Sequence, residues 1–115
     1  MTLTMRVVTA VATALATTGA AVILAAPASA DPDIDFANQL NGFGIYGPRD
    51  YNAWLGKIAC KRLARGVDTD AYTSANFIER NLSPDNTTAQ ALQFLGAAIG
   101  IYCPDQYGVL QSVAQ

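Results

Sequence analysis

Few residues in this 115-residue chain could do chemistry, and what is missing is as informative as what is present. There is no histidine, so neither a Ser-His nor a Cys-His couple can be assembled. Ser74, Ser83 and Ser112 stand outside any G-x-S-x-G turn. No catalytic residue is assigned, and the chain is not expected to be an enzyme. Cys60 and Cys103 are too far apart for the C-x-x-C arrangement that lowers a thiol pKa, and they have no partners for a zinc site. In an exported chain the pair is expected to form a structural disulfide. It would close a loop of about 44 residues, worth ~4 kcal/mol on the chain-entropy account.

The carboxylates and cations have plain structural readings beside their chemical ones. Asp68 and Asp70 are the nearest approach to a catalytic acid pair. An N-cap and a first-turn acid of one helix account for them. Asp31, Asp33 and Asp35 cluster within five residues, but calcium needs 6–8 oxygens in a shaped loop, and no metal or cofactor is expected. A haem would have to take a tyrosine as axial ligand. Tyr46, Tyr51, Trp54, Tyr72, Tyr102 and Tyr107 read instead as core and rim aromatics. Asn81-Leu82-Ser83 and Asn86-Thr87-Thr88 match the glycosylation acceptor pattern and read as caps and turns. Lys57, Lys61, Arg62 and Arg65 form a basic patch, suited to an acidic partner or envelope phosphate and equally to a solvated helix edge. Arg62 falls on the wheel among Tyr51, Leu55 and Ile58, so it either snorkels or meets a buried carboxylate.

The elements that would position these residues are helical throughout. Asp31 as N-cap and Pro32 at the first helical position open a helix with Phe36, Leu40 and Phe43 on one stripe, closed at Gly42-Phe43-Gly44. A second helix runs from about Pro48 to Arg65 with Gly66 beyond its end, and Tyr51, Leu55, Ile58 and Ala59 form its core face. Asp68 is read as the cap of a third helix, through Tyr72, Phe77 and Ile78 to about Asn81. Ser83-Pro84 restarts the chain into a fourth, which Pro104 stops after Cys103. Nineteen residues between Asp85 and Asp105 carry no charge. Such a helix is expected to be buried on all faces; a membrane span competes, and Gln90, Gln93, Gly96 and Gly100 argue against it. A last short helix is expected over Gln106 to Val113.

Small residues suggest how the helices meet. Ala53, Gly56, Cys60 and Ala64 line a stripe of the second helix; Ala89, Gly96, Gly100 and Cys103 line one of the fourth. The expectation is that these helices run roughly parallel, with the third returning between them, and that Gly56 faces Gly100 beside the disulfide. The fold class is therefore an all-α bundle of four to five helices stapled by one disulfide.

The first 30 residues stand apart. Arg6 precedes a long apolar run that ends at Pro27, and Ala28-Ser29-Ala30 supplies small residues at the positions read by signal peptidase. Residues 1–30 are read as a signal peptide cleaved before Asp31, and residues 31–115 as a single domain. An uncleaved membrane anchor is the competing reading; the weak lipid partitioning of Ala and Thr and the adjoining cleavage site favour removal. The overall 14% charged fraction is low largely because this leader holds one charge. Residues 31–115 carry six basic and nine acidic side chains, a net charge of −3. That balance gives no electrostatic reason to bind nucleic acid or anionic lipid.

Asp31-Pro32-Asp33 with Phe36, Leu40 and Gly44-Ile45, then Gly56, Cys60, Leu63 and Gly66, then Ala98-Ile99 and Tyr102-Cys103-Pro104, make an unusual ordered set. In these residues the chain resembles a family of small exported mycobacterial proteins classed as a domain of unknown function. The resemblance implies secretion or a cell-wall location, a helical fold and one disulfide, and transfers no functional residue. The expected role is that of an exported, non-enzymatic binding protein. Its partner would be an envelope protein or a cell-wall component, with no nucleic acid and no stable membrane span after cleavage. The alternative is a small carrier holding an apolar ligand between its helices.

Overall fold

Asp31 caps the first helix as its position before Pro32 predicts. Its Oδ1 accepts from the backbone amides of Asp33 at 2.9 Å and Ile34 at 3.3 Å. In the computed structural model, which describes residues 31–113, this cap opens α1, Pro32–Gly42. Then follow α2, Arg49–Ala64; α3, Ala71–Asn81; α4, Thr88–Tyr102; and a 3-10 segment, Pro104–Leu110. No strand occurs among the described residues, and the all-α bundle stapled by one disulfide stands. The expected leader, with Ala28 and Ala30 of its cleavage site, lies outside the described residues.

Two glycines fix where the first two helices stop. Gly44 (φ 82°) and Gly66 (φ 74°) hold the left-handed conformation a side chain disfavours. After α1, the Gly44 amide reaches the Asn41 carbonyl and the Ile45 amide reaches Leu40. After α2, Gly66 reaches Leu63 and Val67 reaches Arg62 in the same pattern. Both are Schellman closures, which satisfy carbonyls that a helix end leaves unpaired. At α4 the start is a full capping box: Thr87 Oγ1 accepts from the Gln90 amide, and Gln90 Oε1 accepts from the Thr87 amide.

Contacts between ends give the topology. Tyr51, at the start of α2, donates its hydroxyl to the Asn81 carbonyl at the end of α3 (2.8 Å), so α2 and α3 are antiparallel. Thr88 Oγ1 meets Glu79 Oε1 across the α3–α4 turn. Gln90, near the start of α4, donates to the Phe43 carbonyl at the end of α1. The Cys60–Cys103 bond joins the C-terminal ends of α2 and α4, with Cα atoms 5.9 Å apart. Thus α2 and α4 run the same way while α3 returns and packs on both.

The core is built on Phe36, Leu40, Ile45, Leu55, Ile78, Phe94, Leu95 and Ile99, each with no exposed surface. Phe36 makes edge-to-face contacts with Phe94 (5.1 Å between ring centroids) and Tyr102 (5.2 Å).

Five expectations are corrected. Asp68 does not cap α3; Asp70 does, accepting from the Thr73 amide at 2.8 Å, because the Schellman turn at Gly66-Val67 carries Asp68 inward instead. Tyr51 and Phe43 are not core residues: both are exposed. Leu55 and Ala59 of the expected core face of α2 are buried, joined by Asn52, Ala53, Gly56, Cys60 and Leu63, and at Gly56 the helix receives aromatic rings from α1 and α4. Helix α4 is not buried all round, since Ala89, Gln93 and Gly100 face solvent. Hence Gly100 does not face Gly56. A Cβ on Gly56 would meet the Phe36 ring at 3.0 Å and Tyr102 at 3.2 Å, whereas one on Gly100 would meet the hydroxyl of Tyr107. The last helical segment is 3-10 and begins at Pro104, directly on the end of α4.

Candidate functional site

Helix α2 carries most of the side chains singled out by sequence, and its neighbours divide them by partner. Arg62 points to the α2–α3 turn. Its Nε and Nη2 donate to the two carboxylate oxygens of Asp68 at 2.9 and 3.0 Å, and the guanidinium lies 4.0 Å from the Phe77 ring centroid. Asp68 keeps only 3% of its surface, so of the two fates read for Arg62 the buried carboxylate is the one realised. A planar fork matched to a carboxylate is the geometry in which arginine bonds best. Asp68 holds Arg62 protonated beyond its ordinary range, chiefly through these hydrogen bonds.

Lys57 turns the other way. Its Nζ lies 3.3 Å from Asp33 Oδ1 and 5.4 Å from the centre of the Tyr102 ring. Tyr102 donates its hydroxyl to Asp33 Oδ1 at 2.6 Å. That bond, with help from Lys57, holds the Asp33 carboxyl below the usual carboxylate range. Burial and then the same bond push the Tyr102 phenol well above its ordinary value. The cluster ties the first turn of α1 to α2 and to the last residue of α4, one residue from the disulfide. Its carboxylate and phenol are both spent on one another, which makes it a clasp and not a proton-transfer pair. Arg49 is paired with the adjacent Asp50 at 3.0 Å.

Lys61 and Arg65 are left. Both are exposed and neither joins an ion pair among the described residues. Along the same side of α2 stands Trp54, half-exposed, with its ring 5.7 Å from that of Tyr51. Sequence reasoning placed these aromatics in the core or at its rim. The structure puts Tyr46, Tyr51, Trp54, Tyr72 and Tyr107 at the surface and half-buries Tyr102 against the core. The small-residue stripe read at Ala53, Gly56 and Cys60 is the side of α2 pressed against its neighbours, and it turns Tyr51 and Trp54 outward.

The other candidates take structural roles. Asp31 and Asp70 are caps, and Asp33 is in the clasp. Ser74 lies fully buried, with no partner for its hydroxyl among the described residues. Asn86 bonds to Gln90, and Asn81 to the Phe77 carbonyl. No group of three or more metal-ligating side chains occurs among the described residues. An open cleft of about 290 Å³ lies at the loop end, lined by Gly44, Tyr46, Gly47, Ser83, Asp85 and Asn86. No helix of the described residues is long and apolar enough to cross a membrane.

Fold and surface together define a small helical domain, closed by a disulfide, that presents aromatic and basic side chains from the outer face of one helix. Residues 31–105 match the family described as Protein of unknown function (DUF732), and the chain belongs to that family. Two uncharacterized proteins of Mycobacterium tuberculosis, from strains CDC 1551 / Oshkosh and ATCC 25618 / H37Rv, are each 64% identical over 95 residues, covering 82% of this chain and 85% of the relative. The family expected from the D-P-D start and the Y-C-P end is therefore the right one. No solved structure matches the chain.

Proposed function

We propose that the protein is exported, loses residues 1–30 by cleavage after Ala30, and acts in the envelope or beyond it as a non-enzymatic binding protein. The observation that carries this reading is the Cys60–Cys103 bond, since structural disulfides persist in oxidising compartments and are rare in the cytoplasm. The compact unit begins at Asp31, as does the family match, and Asp31 is the cap of the first helix. Binding at the surface is favoured over an apolar ligand held between helices, because Phe36, Phe94 and Tyr102 fill the space where the helices meet.

The test is to express the full chain in a mycobacterial host and to follow it in culture medium, envelope and cytosol. Sequencing the amino-terminus and weighing the intact protein should give an extracytoplasmic species that starts at Asp31 and is two hydrogens lighter than its reduced form. A cytosolic species with free thiols, or one retaining residues 7–26, overturns the reading. Crosslinking in the native envelope then identifies what the domain touches.

A further inference from the structure

From the charges α2 leaves unpaired we infer that its outer face, Trp54 with Tyr51 followed by Lys61 and Arg65, is a binding site for an acidic oligosaccharide. The inference deepens the proposed extracytoplasmic binding role and rests on it for its biological setting.

Three features of this face point to a ligand. The first is the pairing of charge. Arg49, Lys57 and Arg62 each have an acid of this chain within 3.3 Å, so their charge is spent internally. Lys61 and Arg65 have none among the described residues, in a domain whose net charge is −3; the sixth cation, Arg80 on α3, also lacks an acid and donates to Asn76. Lys61 in the last turn of α2 and Arg65 at its C-cap complement the helix dipole, but that leaves the ammonium and guanidinium free for an outside anion. The second is the aromatic pair. Trp54 keeps 52% of its surface and Tyr51 keeps 41%, yet Tyr51 is anchored through its hydroxyl to the Asn81 carbonyl. Tyr51 is therefore held in place before anything binds, with the Trp54 ring beside it at 37° from parallel. The third is alignment. Positions 54, 61 and 65 are separated by seven and four residues, so they fall on one side of the helix, spanning about 16 Å along its axis.

The occupant follows from that layout. A sugar ring offers flat patches of C–H groups that suit the electron-rich face of an indole, and two cations farther along meet acid groups on the following residues of the same strand. The surface is a convex helix face with no unpaired strand edge, so it lacks the backbone partners an extended acidic peptide would use. An anionic bilayer is a broad sheet that meets the whole domain with its net negative charge, whereas a narrow polymer lying along α2 meets Lys61 and Arg65, and the one exposed acid on that side, Asp50, is already paired with Arg49.

Trp54 is the chain's only tryptophan, so its fluorescence reports the site directly. Protein purified from the producing host is titrated with tetragalacturonate and with a phosphorylated oligomannose, against neutral cellotetraose, tetraglutamate, and vesicles of phosphatidylcholine and phosphatidylglycerol. At least one acidic oligosaccharide should shift the Trp54 emission saturably, with affinity that falls as salt rises. Lys61→Gln and Arg65→Gln should each weaken that binding about tenfold while leaving the thermal melt unchanged. Trp54→Ala, followed by calorimetry in place of fluorescence, should abolish it. The proposal is overturned if neither acidic oligosaccharide binds, if cellotetraose binds equally well, if tetraglutamate or the vesicles bind and the sugars do not, or if the substitutions leave affinity intact. Where the protein resides does not enter this measurement, so a failure of export and a failure of sugar binding read out separately.

Discussion

The bond from Tyr102 to Asp33 is the residue-level contact with the clearest dependence on pH. Asp33 has its pKa lowered by this bond, so its contribution is full above the unfolded value of about 3.9 and is lost as pH falls through the lower folded one. Tyr102 has its pKa raised, so its contribution is full below the unfolded value of about 10 and is lost as pH climbs from there toward the folded one. Stability should therefore fall at both extremes, and Tyr102→Phe should flatten both limbs. At neutral pH that substitution should cost about 1.5 kcal/mol, the low end for a bond to a charged group because Asp33 still touches solvent and keeps Lys57. Urea denaturation of both proteins across pH checks this; limbs of equal steepness would assign the dependence to other groups. None of this was readable in sequence, because Asp33 and Tyr102 are 69 residues apart. Arg62 was readable in half: its place among apolar neighbours marked it as an oddity, while the identity of its acid depended on a turn that swings Asp68 inward.

At the scale of elements, caps and stops were the legible part. Pro32, Gly44, Gly66 and Pro104 act through local backbone geometry, which a sequence states directly, and the bounds they imply hold to within a few residues; the start of α4 does not, since Ser83-Pro84 forms a turn and the helix begins at Thr88 under the Thr87–Gln90 capping box. Helix rotation was not legible in the same way. Large residues were assumed to lie inside, but α2 is a receiving surface, and its inner face is small because Phe36 and Tyr102 come from elsewhere to fill it. On α4 the same small residues, Ala89, Gly96 and Gly100, turn outward or to the rim, so size alone did not say which way a stripe looks. The two glycines therefore separate. Gly56→Leu should destabilise the fold by about 3 kcal/mol or more, since the Phe36 and Tyr102 rings have nowhere to go. Gly100→Leu should be tolerated within about 1 kcal/mol: Tyr107 is an exposed side chain free to swing aside, and the helix loses a glycine. Thermal melts of the two variants decide it, and equal losses would restore the face-to-face arrangement that the small-residue stripes first implied.

For the molecule as a whole, the disulfide closes 43 residues of sequence separation within a domain of modest core. Cys60→Ser with Cys103→Ser should lower the free energy of unfolding by about 4 kcal/mol, a large share of the total for a chain this size. The urea m-value should rise as well, because the unfolded chain is then free to expand. An unchanged midpoint in the double variant would mean the bundle stands without its staple. The bond has a further, mechanical meaning. A pull on the two ends of the domain travels from Asp31 along α1 and α2 to Cys60, crosses the sulfur bridge, and leaves through Cys103 and the 3-10 segment. Residues 61–102, with all of α3 and α4, lie on a side loop that carries no tension. The domain can therefore lengthen by roughly 150 Å less than its residue count allows. The helices off the load path are bypassed, while α1, whose Phe36 plugs the centre of the core, is the part on which the load falls.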